Sequence, residues 1–257
     1  MKSVLLSGAG NTFHFFYNIS QKDKNILSSS KKIQNLCEQY PTDGLVFLNL
    51  DIDNKYYWDF YNKDGSQAEM CGNATRCVGY YVENILKKDF SNVFLKTAKG
   101  TVEIQMQKNN LYTVLMLPTC VLKHESLFFC NTGVPHVVFE ISQTDKSLDW
   151  FSECKRIRQD QFFQPEGTNV TVVQIIENPK SSIKNIKAVS FERGVENFTK
   201  ACGTGAIAAA LYLSERYQIQ KSVIEMPGGD LTIDVTDYSK PTMMGPATFI
   251  QEYDYEF

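Results

Sequence analysis

Two cysteines stand in matching surroundings. Cys71 lies in Met70-Cys71-Gly72-Asn73-Ala74-Thr75 and Cys202 in Ala201-Cys202-Gly203-Thr204-Gly205-Ala206. Each is a Cys-Gly followed by a small polar residue, at the head of an apolar run with helical character. A helix start exposes unpaired N–H groups and the positive end of the dipole, which stabilises a thiolate. Two such residues, one in each half of the chain, suggest a symmetric site with two acid–base thiols. The other five cysteines, Cys37, Cys77, Cys120, Cys130 and Cys154, lack a Gly-rich helix start and read as small buried hydrophobes. Cys71 and Cys77 are too far apart for a zinc knuckle and have no neighbouring His, so no metal is expected. The absence of Cys-x-x-Cys argues against a thioredoxin-like dithiol.

Other polar residues acquire interest by position. In Glu192-Arg193 the Arg fork suits a carboxylate and the Glu an ammonium group, although such a pair is most often solvated surface. Counting back from each cysteine matches Arg193 with Asn62. His136 follows Pro135 in a turn of the second half, from which it could reach towards Cys71; His14 and His124 read as structural or surface residues. Gly8-Ala9-Gly10 and Gly228-Gly229 read as turns. They fit neither a dinucleotide fingerprint nor a P-loop, and no lysine stands in a pyridoxal phosphate context, so no cofactor is expected.

The elements that carry these residues recur in order. Strands are expected at 2–6, 12–19, 45–50 and 55–61, helices at 29–39 and 72–87, then strands at 94–97, 101–106 and 111–117. The second half repeats this with strands at 128–130, 136–141, 169–176 and 186–192, helices at 148–158 and 203–217, and strands at 222–226 and 231–235. Gly44 aligns with Asn169, and Gly10-Asn11 with Gly133-Val134. Two copies imply two similar domains, each a small curled sheet around one helix. The domains are expected at 1–118, rejoined by a C-terminal strand at about 247–257, and at 119–246. The 257 residues suffice for two cores, and 43% apolar with 21% charged residues is ordinary for a soluble protein. A net charge of −3 gives no basic footprint, so nucleic acid is not an expected partner. The N-terminal apolar run is too short for a signal peptide and no spanning helix follows, so a cytoplasmic protein without membrane contact is expected.

Together the motifs resemble the diaminopimelate epimerase family. Asn62-x-Asp64-Gly65-Ser66-x-x-Glu69-Met70-Cys71-Gly72-Asn73-Ala74-x-Arg76-Cys77 is similar to its first active-site motif, and Glu192-Arg193-Gly194 with Ala201-Cys202-Gly203-Thr204-Gly205-Ala206 to its second. Gly8-x-Gly10-Asn11-x-Phe13, Gly133-x-Pro135-His136, Asn169 and Pro227-Gly228-Gly229 match further landmarks. The resemblance implies an α+β fold of two similar domains, each a curled, mainly antiparallel sheet around a central helix, with the active site in the cleft between them. It implies cofactor-independent inversion of an α-carbon, LL- to meso-diaminopimelate, with Cys71 and Cys202 as the acid–base pair. His136 would assist Cys71, and Glu192 would assist Cys202. Asn11, Asn62, Asn169, Glu192 and Arg193 would contact substrate, with the backbone at Gly72-Asn73 and Gly203-Thr204. The partner implied is a small molecule, and a homodimer is left open.

The chain departs from the family pattern in three places. Val134 stands where the family typically has Asn. The segment Val195–Lys200 is one residue longer and lacks a second glycine, and Gly44 stands where some members place a polar contact. Two rival readings therefore stay open: a broader amino-acid racemase acting on glutamate or aspartate, and a non-catalytic amino-acid binding protein on the same scaffold.

Overall fold

Residues 2–27, 29–122, 124, 127–142, 149–176 and 185–254 are described by a computed structural model. The chain divides into two units, Met1–Val114 with Gly245–Phe257, and Leu115–Met244. The first unit runs β1 (Lys2–Gly8), β2 (Asn11–Tyr17), α1 (Gln21–Leu27), α2 (Ser30–Gln39), β3 (Gly44–Leu50), β4 (Tyr56–Asn62), β5 (Gln67–Ala68), α3 (Gly72–Tyr80), β6 (Asn92–Thr97), β7 (Gly100–Met106) and β8 (Leu111–Leu115). The second runs β9 (Cys120–Leu122), β10 (Phe128–Asn131), β11 (Pro135–Glu140), α4 (Trp150–Arg158), β12 (Asn169–Ile176), β13 (Asn185–Glu192), β14 (Asn197–Phe198), α5 (Gly203–Tyr217), β15 (Lys221–Met226) and β16 (Gly229–Asp234). The last strand, β17 (Thr242–Asp254), pairs through Thr242–Met244 with β16 and through Ala247–Asp254 with β1. It starts before the expected 247, and residues 255–257 lie outside the described residues, as does residue 148 at the expected start of α4.

The pairing pattern repeats strand for strand. The hairpin β1–β2 is followed by β2 parallel to β3, β3 antiparallel to β4, β4 parallel to β6 and β6 antiparallel to β7. The hairpin β10–β11, then β12, β13, β15 and β16, follows the same sequence. Phe13 pairs with Gly44 and His136 with Asn169, so the two halves align at those positions. Gly44 faces Asn62, whereas the register of β12 on β13, Val170 to Phe191, sets Asn169 opposite Glu192. Asn62 is therefore matched by Glu192, not by Arg193 as counting back from the cysteines suggests. The cause is the turn: Tyr61 pairs with Gln67 but its counterpart Phe191 with Phe198, so the second turn holds one more residue.

Each sheet wraps a buried helix. Every residue of α5 from Gly205 to Ser214 is buried, and its alanines let six strands approach. In the first unit Ala74, Cys77 and Val78 of α3 pack with Phe13, Phe15, Val46, Leu48, Phe60, Leu95 and Ile104. Side chains alternate along a strand, so Phe16, Leu45 and Phe47 face the other way, onto Leu27, Ile33 and Leu36 of α1 and α2. Both faces of this part of the sheet are covered, which explains the unbroken apolar run in β3. In the second unit α4 does the same with Cys154 and Ile157 against Val137, Val170, Val172 and Phe191. The helix expected over 72–87 is α-helical only to Tyr80. A π turn, Tyr81–Ile85, continues it and keeps Tyr81 and Val82 both buried.

Candidate active site

Cys202 is the N-cap of α5, and its sulfur accepts the Gly205 N–H at 3.3 Å. It also lies 3.3 Å from the Thr204 hydroxyl. Burial pushes the thiol well above its ordinary range, the Glu192 carboxylate pushes it further, and the hydrogen bonds from Thr204, Gly205 and Ser190 oppose them. Glu192, at the end of β13, accepts from the Thr199 hydroxyl and is bonded to the Cys202 thiol. Its own carboxyl is raised by burial.

His136 is wholly buried in the same unit. Its Nδ1 is 3.0 Å from Thr171 Oγ1, and its Nε2 is 3.0 Å from Thr204 Oγ1 and 3.3 Å from Asn169 Nδ2. Both ring nitrogens are thus engaged beside Cys202, whereas the resemblance linked His136 to Cys71. The tautomer follows from Asn169. Its Oδ1 accepts the Arg193 N–H at 2.7 Å, so Nδ2 donates, Nε2 of His136 accepts, and the ring proton sits on Nδ1. The exposed Arg193 guanidinium donates to the Glu166 carbonyl at 2.8 Å.

Cys71 caps α3 in the first unit and is half-buried; its carbonyl accepts from the Thr75 N–H at 2.9 Å and hydroxyl at 2.8 Å. Behind it runs a chain of fixed polarity. Arg76 Nη2 donates to Asn73 Oδ1 at 2.7 Å, Asn73 Nδ2 to Asn11 Oδ1 at 2.9 Å, and Asn11 Nδ2 to Asp43 Oδ2 at 3.2 Å. Gly72 and Asn73 form the first turn of α3, and a Cβ on Gly8 would come 2.4 Å from the Asn73 carbonyl oxygen. Asn62 stands apart: it is exposed and its amide donates to Ser66 Oγ at 3.0 Å. Val134 occupies the place of Asn11, and the tie to the helix start is made instead by the Thr132 hydroxyl, which donates to the Thr204 carbonyl at 3.2 Å. Sequence reasoning passed over Asp43, Thr132, Thr171 and Ser190. Arg76 is marked in sequence only as a member of the first motif.

These two helix starts, each capped by a cysteine, were compared with known proteins. The diaminopimelate epimerase family model matches residues 4–119 and 128–250. The chain belongs to the diaminopimelate epimerase family. It is 30% identical to the diaminopimelate epimerase of Hydrogenobaculum sp. (strain Y04AAS1), the alignment covering 95% of each chain. The same fold recurs in a PhzF-family phenazine biosynthesis protein of Enterococcus faecalis, with TM-score 0.72 and 13% identity, over 100% of this chain and 99% of that one. It recurs too in a hydroxyproline epimerase of Agrobacterium vitis, with TM-score 0.67 and 14% identity, over 98% and 91%. The α+β expectation agrees with these matches. Among the described residues no helix is long and apolar enough to cross a membrane.

In this family member the buried histidines set an acid limit on stability. Burial lowers His136 to about 3, with the Arg193 charge adding to it, and burial lowers His14 in the first unit to about 4. Unfolded, each titrates near 6.5. Between those values the unfolded chain binds protons that the folded one refuses, so stability falls as pH drops through 6.5 and continues to fall towards the folded values. The expected loss from pH 7 to pH 5 is about 2 kcal/mol per histidine. Urea unfolding at both pH values checks this, and His136→Gln should remove its share of the difference. An equal pH dependence in that variant would refute the assignment.

Proposed function

We propose that this protein epimerises diaminopimelate, converting the LL to the meso isomer for lysine and peptidoglycan precursor synthesis. The observation that carries the reading is the duplicated Cys-Gly helix cap, one per unit, in a chain of this family. Inversion at carbon requires a base on one side of the α-carbon and an acid on the other. Cys71 and Cys202 supply them. The α-proton is a very weak acid, so the carbanion character that develops must be stabilised. The N–H groups of Gly72-Asn73 and Gly203-Thr204, at positive helix ends, do this at the α-carboxylate without a cofactor. Asn11, Asn62, Asn169, Glu192 and Arg193 bind the rest of the substrate, Arg193 by its fork to the distal carboxylate. Glu192 serves Cys202 as a proton partner, and His136 holds Thr204 beside it. The reading includes a cytoplasmic location, and a homodimer is the assembly to test by light scattering.

A second reading, a broader racemase, has one observation in its favour. The Val134 side chain brings no hydrogen bond where that of its counterpart Asn11 brings two. A lost hydrogen bond to a charged group removes about 1.5–3 kcal/mol, or roughly one to two powers of ten in discrimination. The expected result in deuterated water is fast α-proton exchange with LL-diaminopimelate and slow exchange with glutamate or aspartate, the latter suppressed by Val134→Asn. Absence of exchange with glutamate and aspartate would show that Thr132 compensates and selectivity is strict. Binding of all three without exchange would instead indicate a non-catalytic binder.

A further inference from the structure

Cys202 belongs to a ring of polar groups, buried except at the half-buried Thr204. The Thr204 hydroxyl bridges the sulfur, at 3.3 Å, and His136 Nε2, at 3.0 Å. His136 Nδ1 is 3.0 Å from Thr171 Oγ1, which is 3.0 Å from Ser190 Oγ. Ser190 returns to the sulfur by a hydrogen bond of its own. Thr171, Ser190 and His136 are all fully buried. Space for the ring is reserved in the sequence: a Cβ on Gly205 would sit 2.1 Å from Ser190 Oγ and 3.1 Å from Thr171 Oγ1. The register shared by the two units shows that the first unit has no counterpart of these three side chains. At the places of His136, Thr171 and Ser190 the first unit has Phe13, Val46 and Phe60, which pack in its apolar core. There Phe13 and Phe60 meet edge to face at 5.8 Å.

We infer that Ser190 and Thr171 are positioning residues for Cys202, completing a ring of rotatable hydroxyls that satisfies the sulfur in both of its protonation states while His136 stays neutral. Every donor finds an acceptor in each state. In the thiol state S–H donates to the Glu192 carboxylate, and the Thr204 O–H donates to His136 Nε2. The Nδ1–H donates to Thr171, Thr171 to Ser190, and Ser190 to the sulfur. When the thiol has given up its proton, the Thr204 O–H turns to the sulfur and the Asn169 amide alone holds Nε2; every other bond keeps its direction. Only one hydroxyl rotates, and no proton leaves the ring other than the one transferred. Two hydroxyls and the Gly205 N–H then face the thiolate, which offsets part of the cost of its burial. The arrangement rests on reading Cys202 as an acid–base thiol, but its test needs no substrate.

The titratable groups on the strands around α5 are few. On β10 there is Cys130, whose thiol donates to the His136 carbonyl at 3.7 Å, on β11 His136 and Glu140, on β13 Lys187 and Glu192, on β15 Lys221 and Glu225, and on β16 Asp230 and Asp234. Glu192 acts on the thiol, and Arg193 beyond β13 on the imidazole. Glu140 is held by Tyr212 and Tyr217, Lys221 pairs with Asp234, and Lys187 and Glu225 line a separate cavity beside Trp150. The experiment is the pH dependence of Cys202 alkylation by iodoacetamide, followed by peptide mass, in wild type, Ser190→Ala and Thr171→Val. Both replacements are close to isosteric. Loss of one hydroxyl donor should raise the midpoint in Ser190→Ala by about one unit, and that in Thr171→Val in the same direction by less. Midpoints equal to wild type in folded variants would overturn the proposal. Should either variant lose its fold, the wild-type imidazole decides by nitrogen NMR. A neutral ring with the proton on Nδ1 down to pH 5 supports the proposal, and titration near 6.5 or a proton on Nε2 overturns it. Altered midpoints with no exchange of any amino acid would leave the ring standing and remove the epimerase reading instead.

Discussion

Cys71→Ala and Cys202→Ala should each lose epimerisation by at least about 10²–10⁴-fold, the usual contribution of a positioned acid or base. The two variants should differ in what survives. With one thiol left, proton exchange persists for the isomer whose α-hydrogen faces that thiol, without inversion. Deuterium wash-in should therefore remain for LL-diaminopimelate in one variant and for the meso isomer in the other. Serine replacements should retain little, because a hydroxyl is a far weaker acid than a thiol at neutral pH. The surroundings already separate the pair. Cys202 is buried with a carboxylate beside it, and both effects favour the thiol. Cys71 is half-exposed at its helix start, and its charge is felt by the buried Arg76 cation. Cys202 should thus rest protonated and act first as the acid. Stopped-flow alkylation at pH 7 checks this, with Cys71 expected to react faster. Near-normal epimerisation by Cys202→Ala would end the two-thiol mechanism outright.

Why the cysteines were legible and their supports were not has a physical basis. A helix cap is local, so Cys-Gly before an apolar run announces itself, and α3 and α5 begin where the pattern puts them. Strand alternation is local too, which is why β3, β12 and β13 match their expected spans closely. Ser190 and Thr171 are read in sequence as ordinary strand residues. Their meaning arises from a cross-strand pair, Thr171 opposite Ser190, and from an absent side chain at Gly205 on another element. Asp43 lies in the turn after α2, and its carboxylate accepts from the Asn11 amide and the Thr12 N–H, contacts that no local pattern announces. One missed element did carry a signal: Ser20 accepts the Asp23 N–H at 3.1 Å, an N-cap that marks the start of α1. The mismatch of Asn62 with Arg193 shows the limit of counting, since one extra turn residue shifts every count beyond it while leaving the sheet register intact.

Arg76→Ala should be among the most destabilising single substitutions in the first unit, costing about 3–5 kcal/mol. The side chain is completely buried, and burial lowers its pKa only to about 10, so it remains a cation at neutral pH. Nη1 donates to the Gly72 carbonyl at 3.3 Å, Nη2 to Asn73 Oδ1 at 2.7 Å, and Nε to the Pro246 carbonyl at 3.4 Å. It therefore fastens the start of α3 to β17 and sets the orientation of two carboxamides, with Asp43 holding the far end of the chain. Truncation leaves three acceptors short of a donor and opens a cavity where a guanidinium stood. A domain's whole stability is about 5–15 kcal/mol, so this loss is a large share of it. Arg76→Lys keeps the charge but not the fork, and should fall between alanine and wild type. Under conditions where the variants stay folded, KM for diaminopimelate should rise more than kcat falls, because Asn11 and Asn73 lose their fixed orientation while Cys71 remains. Urea unfolding and steady-state kinetics measure the two effects separately. A stability loss under 1 kcal/mol in Arg76→Ala would mean that water replaces the guanidinium. An unchanged KM would mean that the carboxamides are held without it.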